Sequence, residues 1–257
     1  MRAGRPPRPP LLSRRHALRL SIAAALLLAG LSQISPAHLE ALSLDGDALS
    51  TLPMPSSARR PPQPMLADVD ADGEAESISL ENGRAVLHRD SVTLWASPED
   101  WDVRQARLTD LNQDTSPEIA LLVWREFAPW PIDAYIPSPG RISSFHDSSG
   151  FSCHLILMGW RRDRFQELWA GSALARPLVA FESSDLDADG DQELAALEGD
   201  YQRPDGRSGA ITVWEWNGFG FTLAVRSNGA GYSDLTVLAT PDGRQILLAQ
   251  NSIWGEP

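Results

Sequence analysis

From residue 76 to residue 250 the chain is built from short apolar or alternating runs separated by turn residues. ESISL, RAVLHR, SVTLWAS, EIALLVW, CHLILMGW, FQELWAG, ELAAL, AITVWEW, FGFTLAVR, LTVLAT and QILLAQ are each bounded by Gly, Asp, Asn or Pro. Runs of this length and composition predict β-strands, half-buried where they alternate and buried on both faces where they are continuously apolar. No stretch beyond residue 37 carries the 3.6-residue period of an amphipathic helix, so the chain is predicted to be all-β. Residues 38–61 are rich in Pro, Ser and small residues with little periodicity, and predict a linker or leader ahead of a domain over 62–257.

Between the runs one acidic pattern recurs. ADVDADGEAES offers Asp68, Asp70, Asp72 and Glu76; TDLNQDTSPEI offers Asp110, Asn112, Asp114 and Glu118; SDLDADGDQEL offers Asp185, Asp187, Asp189 and Glu193. In each, acids or their amide occupy loop positions 1, 3, 5 and 9, and an apolar run follows. Flanking residues repeat as well: Trp95 lies fifteen residues before Asp110, and Trp169 sixteen before Asp185. A fourth, eroded copy is TPDGRQIL, where Asp242, Gly243, Gln245 and Leu247 match Asp189, Gly190, Gln192 and Leu194. It lacks the first, third and ninth acids, and is expected to keep the turn without an ion.

Acids at positions 1, 3 and 5 converge on a point only if the backbone curls, and Gly at position 6 permits the sharp turn. A carbonyl at position 7 and the carboxylate at 9 then complete an oxygen cage. Hard oxygen donors with three or four negative charges, and no His or Cys within the loops, favour calcium over zinc or copper. An EF-hand needs a bidentate Glu at position 12, where this chain has Ser79, Leu121 and Ala196.

The segments DVDADGEAE, DLNQDTSPEIALL and DLDADGDQELAAL resemble the calcium loops of FG-GAP and VCBS repeats, the units of integrin-alpha-type β-propellers and of many exported bacterial proteins. The resemblance covers roughly residues 62–252. It implies propeller blades carrying calcium on the twelve loop residues named above. The second loop departs from the pattern with Thr115 where Gly is usual. The first two loops start 42 residues apart and the next two 75, so residues 125–152 are expected to be an insertion into a unit of about 42. The 220 residues after position 37 then suit a small propeller-like array of four to five blades.

Composition narrows the partners. All 22 basic residues are Arg, 34 residues are acidic, and the net charge of −12 argues against nucleic acid and anionic membranes. Residues 1–37 hold six Arg and no acid, in the order of an export signal: a basic stretch, the apolar run LRLSIAAALLLAGL, then small residues before His38. SRRHALR is also similar to a twin-arginine export signal. Export to the periplasm or outside is therefore expected, with no stable membrane span after cleavage; an uncleaved anchor is the alternative. The single Cys153 excludes an internal disulfide.

No phosphate-cradling glycine loop, zinc spacing or catalytic motif is present. The leading expectation is a non-catalytic binding module for a protein or a glycan, with Trp130, Tyr135, Phe145 and His146 of the insertion as contacts. A secreted hydrolase or lyase would have to draw its acid and base from His146, Asp147 and His154, and a structural envelope protein is the third expectation. Cys153 is expected in the core, Trp95, Trp169 and Trp214 between repeats, and Arg161, Arg162 and Arg164 at a solvated hairpin tip.

Overall fold

The computed structural model describes residues 38–55, 66–129, 135, 144–203, 206–227 and 231–251. They form sixteen strands: β1 (His38–Asp45), β2 (Ala48–Leu52), β3 (Leu66–Ala67), β4 (Glu76–Glu81), β5 (Arg84–Arg89), β6 (Val92–Ala96), β7 (Asp102–Thr109), β8 (Glu118–Glu126), β9 (Phe151–Arg161), β10 (Arg164–Ala170), β11 (Leu178–Ser184), β12 (Glu193–Glu198), β13 (Ala210–Trp216), β14 (Phe221–Arg226), β15 (Tyr232–Ala239) and β16 (Gln245–Asn251). No helix among the described residues is long and apolar enough to cross a membrane. The export segment 1–37 lies outside the described residues.

The strands pair into four antiparallel four-stranded sheets. Three are sequential meanders: β3-β4-β5-β6, β7-β8-β9-β10 and β11-β12-β13-β14. The fourth, ordered β15-β16-β1-β2, takes two strands from each end of the described chain, with Leu42 opposite both Leu247 and Thr51. Residues 38–52 are therefore not a linker. Their signal is weak because β2 is half exposed and a Gly-containing turn follows β1, yet Ala41, Leu42 and Leu44 are buried.

All eleven predicted runs are strands, and five strands were not predicted: β1, β2, β3, β7 and β11. β7 and β11 were hidden because their side chains reach the neighbouring sheet with polar groups. The Gln105 amide brackets the backbone of Phe181, accepting from its N–H at 3.0 Å and donating to its carbonyl. Arg107 on β7 pairs with buried Glu182 on β11 at 3.2 Å.

Three apolar clusters lie between sheets. Ala85 and Leu87 of β5 meet Ile119, Leu121 and Val123 of β8 in one; the other face of β8, Ala120, Leu122 and Trp124, meets Leu194 and Ala196 of β12 in the next. The opposite face of β12, Ala195 and Leu197, then packs with Leu42, Leu235 and Leu247 of the terminal sheet. The sheets of β8 and β12 are thus covered on both faces, which is why EIALLVW and ELAAL are continuously apolar. The repeat tryptophans fill these junctions: Trp95 meets Phe165 edge-on at 5.0 Å, Trp169 meets Trp216 at 6.0 Å and Phe221 at 5.2 Å, and Trp214 is half-buried against the same cluster.

The expected insertion is shorter than 125–152 at both ends, since Arg125 and Glu126 belong to β8 and Phe151 and Ser152 to β9. Arg162 and Asp163 both adopt positive φ in the tight β9–β10 turn, and Arg161, Arg162 and Arg164 are exposed around it. Cys153 is fully buried.

Leu42→Ala separates a folded β1 from a leader. Loss of this buried side chain is expected to lower the unfolding free energy by about 2–4 kcal/mol in a urea titration; a change near zero would contradict the terminal sheet.

Candidate metal centre

Each acidic loop is the hairpin between the first and second strand of its sheet. Residues 68–76 join β3 to β4, 110–118 join β7 to β8, and 185–193 join β11 to β12. The eroded fourth copy joins β15 to β16 and keeps a closed turn, with Gly243 N–H donating to the Thr240 carbonyl at 2.9 Å and Thr240 N–H to the Arg244 carbonyl at 2.9 Å.

The three acidic hairpins share a backbone path. Position 4 is left-handed in all of them (Ala71, Gln113 and Ala188), and so is position 6 (Gly73, Thr115 and Gly190). Position 1 accepts from the N–H of position 6: Gly73 to Asp68 Oδ2 at 2.9 Å, Thr115 to Asp110 Oδ2 at 3.1 Å, Gly190 to Asp185 Oδ2 at 3.2 Å. Position 5 accepts from position 7: Glu74 to Asp72, Ser116 to Asp114, Asp191 to Asp189. Asn112 Oδ1 accepts from Asp114 N–H at 3.0 Å, the contact that Asp70 makes with Asp72 and Asp187 with Asp189.

Position 9 is the first residue of the second strand and is buried each time, at 0 % exposure for Glu76 and Glu118 and 3 % for Glu193. Its carboxylate caps the N–H of position 2, at 2.9 Å to Val69, 2.7 Å to Leu111 and 2.6 Å to Leu186. Those position 2 side chains are themselves buried. Core burial thus pins one side of the loop, and the glutamate ties the other side to it.

One oxygen each from Asp68, Asp70 and Glu76 lies within 4.8 Å of the others; the same holds for Asp110, Asp114 and Glu118, and for Asp185, Asp187 and Glu193. Such clusters can hold a metal ion. In the second and third loops the donor set carries orphaned oxygens: Glu118 Oε2 and Asp185 Oδ1 are buried without a hydrogen-bond partner among the described residues. Burial, with Asp110 and Asp114 nearby, pushes the Glu118 carboxyl up to about 8, outweighing the two backbone hydrogen bonds it accepts from Asn112 and Leu111; burial with Asp187, Asp189 and Asp185 pushes Glu193 up to about 7. A divalent cation would supply the missing partner in both.

The first loop differs. The Arg89 guanidinium, at the end of β5, reaches Asp70 Oδ2 at 2.7 Å, Asp72 Oδ2 at 2.7 Å and Glu76 Oε1 at 2.7 Å. Nothing in the spacing of the loop pointed to Arg89, thirteen residues beyond Glu76.

The second and third hairpins are neighbours. Gln192, at position 8 of the third loop, accepts from Thr109 Oγ1 at 2.7 Å and from Asp110 N–H at 3.3 Å. Asp191 also adds to the charge that, after burial, raises Asp110 above the usual carboxylate range.

Of the expected contact residues, Trp130 lies outside the described residues and Tyr135 is 85 % exposed. Phe145 is half-buried against the cluster between β8 and β12, and His146 is half-buried beside Phe127, its ring 5.2 Å away. His154 is buried, its Nδ1 3.1 Å from the Gly171 carbonyl and its Nε2 2.8 Å from Ser152 Oγ, and burial lowers its pKa to about 4. No protein-family model matches the chain, and no curated protein matches it.

Two measurements follow from this geometry. Thr115 holds a left-handed backbone that costs a β-branched residue about 1 kcal/mol or more, so Thr115→Gly is expected to raise stability by about 1 kcal/mol. Because Glu118 and Glu193 have raised values in the fold, their protonated forms favour it. In metal-free buffer stability is therefore expected to fall as pH rises from the ordinary glutamate value of 4.5 through about 7 and 8, and saturating calcium is expected to flatten that slope.

Proposed function

We propose that this chain is an exported, calcium-stapled, propeller-like binding module that recognises a protein or a glycan. The observation that carries the cation part is the pair of orphaned buried oxygens, Glu118 Oε2 and Asp185 Oδ1, inside three-carboxylate clusters. Calcium is favoured over smaller or softer ions because every donor is oxygen and each hairpin gathers several carboxylates. The propeller reading is supported by four sheets of equal strand number, each opening on an equivalent hairpin, and by a sheet that joins both ends of the described chain. The FG-GAP and VCBS resemblance of the loops points the same way, and the leader's Arg-rich and apolar order supports export.

For recognition, the described part of the β8–β9 connection borders two clefts. One, of about 280 Å³, is lined by Arg104, Trp124, Asp147, Tyr201, Arg203 and Arg207 among others; the second, of about 550 Å³, includes Ser144 and Phe145. Arg104 stacks on the Trp124 ring at 4.0 Å. Arginines beside aromatic rings suit an anionic sugar or an acidic side chain, and they concentrate positive groups on a chain that is otherwise strongly acidic.

A thermal melt of residues 38–257 tests the cation part. With sites of ~10⁻⁴ M affinity, ~1 mM calcium adds about 1.4 kcal/mol per site, so two sites raise the melting temperature by roughly 5–10 °C over chelated protein. An unchanged melt would remove the ion sites. A glycan array probed with the wild type and with Arg104→Ala tests recognition: signal is expected for acidic glycans and weakened in the variant, and a blank wild-type array would remove the glycan half.

A further inference from the structure

The ninth-position glutamates are alike in burial and in the N–H they cap, yet they face different residues across the sheet. Along the β4–β5 register, Ser77 stands opposite His88, and one step further Glu76 faces Arg89. Along β8–β9, Ile119 stands opposite Met158, so Glu118 faces Gly159. A Cβ on Gly159 would lie 3.6 Å from the Cβ of Glu118, confirming that the two are adjacent. Along β12–β13, Leu194 stands opposite Trp214, so Glu193 faces Glu215, which is exposed.

The consequence is chemical. In the first loop the cross-strand residue delivers a permanent cation onto Asp70, Asp72 and Glu76, with Glu74 Oε2 at 3.6 Å as a fourth carboxylate. Both oxygens of buried Glu76 are partnered, Oε1 by Arg89 and Oε2 by Val69 N–H. In the second and third loops the corresponding residue has no positive charge, and there Glu118 Oε2 and Asp185 Oδ1 are left without a partner among the described residues. A guanidinium cannot lose its proton, and its fan of N–H donors matches several carboxylates at once. A divalent ion entering the first loop would have to break these charge-assisted bonds and then sit beside the displaced positive group.

We infer that Arg89 is a built-in replacement for the divalent ion of the first loop, so that the folded chain takes ions at the second and third loops only. This rests on the reading of those two loops as cation sites. Three acidic motifs that look equivalent along the chain would then have two different chemistries: one closed by an internal cation and insensitive to chelators, two that depend on free calcium.

The test counts calcium bound to the full chain by equilibrium dialysis and elemental analysis at saturating calcium. Wild type is expected to hold two ions per chain. Asp68→Asn is expected to leave that number unchanged, whereas Asp110→Asn and Asp185→Asn each lower it by one. Arg89→Met is expected to raise it to three, with circular dichroism confirming the fold. A wild-type count of three, a lower count in Asp68→Asn, or a folded Arg89→Met with no added ion would overturn the inference while leaving the calcium reading intact. A wild-type count of zero would instead overturn the calcium reading, and the inference with it. If Arg89→Met does not fold, Asp68→Asn in the wild-type background still decides.

Discussion

The interaction on which the rest depends is the buried carboxylate that opens the second strand of three sheets. Glu76, Glu118 and Glu193 each receive the backbone N–H of a residue whose side chain is in the core, Val69, Leu111 or Leu186. A carboxylate with so little exposure is tolerated only with partners, because burying an unpaired charge costs several kcal/mol. The hairpins meet part of that requirement through backbone donors, and the carboxylate oxygens gathered around the same glutamates could hold a positive group, so the fold of each loop and its capacity for a cation have one origin. Where the second partner is Arg89, the requirement is met within the chain.

This local constraint is propagated by the stacking of sheets. β8 and β12 are apolar on both faces, so each of their sheets is fixed between two neighbours, and the hairpins at their ends are held in register with one another. Gln192 then bridges the second and third loops directly through Thr109 and Asp110. Polar crossings at Gln105 and Arg107 do the same between β7 and β11, where apolar packing alone would leave the strands free to slide. The acidic loops are thus extensions of a rigid scaffold, which favours a cation site whose geometry is set before the ion arrives.

Legibility in the sequence followed the source of each signal. Strands buried on both faces, such as EIALLVW and ELAAL, were readable because burial alone dictates an apolar run. The recurring acidic curl was readable because the spacing of its residues is set within one short turn of backbone, and the structure gathers one oxygen each from nine of the twelve expected residues, those other than Asp72, Asn112 and Asp189, into three clusters. β7 was not, since Gln105 and Arg107 break its apolar pattern in order to bond with a neighbouring sheet. β1 and β2 were missed because Pro and Ser around them read as linker, and because β16, the strand that pairs with β1 and joins this hairpin to the sheet, lies about two hundred residues away. The catalytic expectation attached to His154 finds that ring enclosed between Ser152 and Gly171.

What the sequence determined by itself was the all-β class, the four recurring turns and the crowding of carboxylates at fixed positions within three of them. These are short-range properties: hydrophobic period and backbone curvature act within about ten residues, and the order of residues encodes them directly. What only the tertiary structure decided was the joining of both ends in one sheet, the stacking that covers β8 and β12 twice, and the residue that faces each buried glutamate. Arg89, Gly159 and Glu215 occupy that place through strand register, and register is a long-range outcome of packing that no single loop contains.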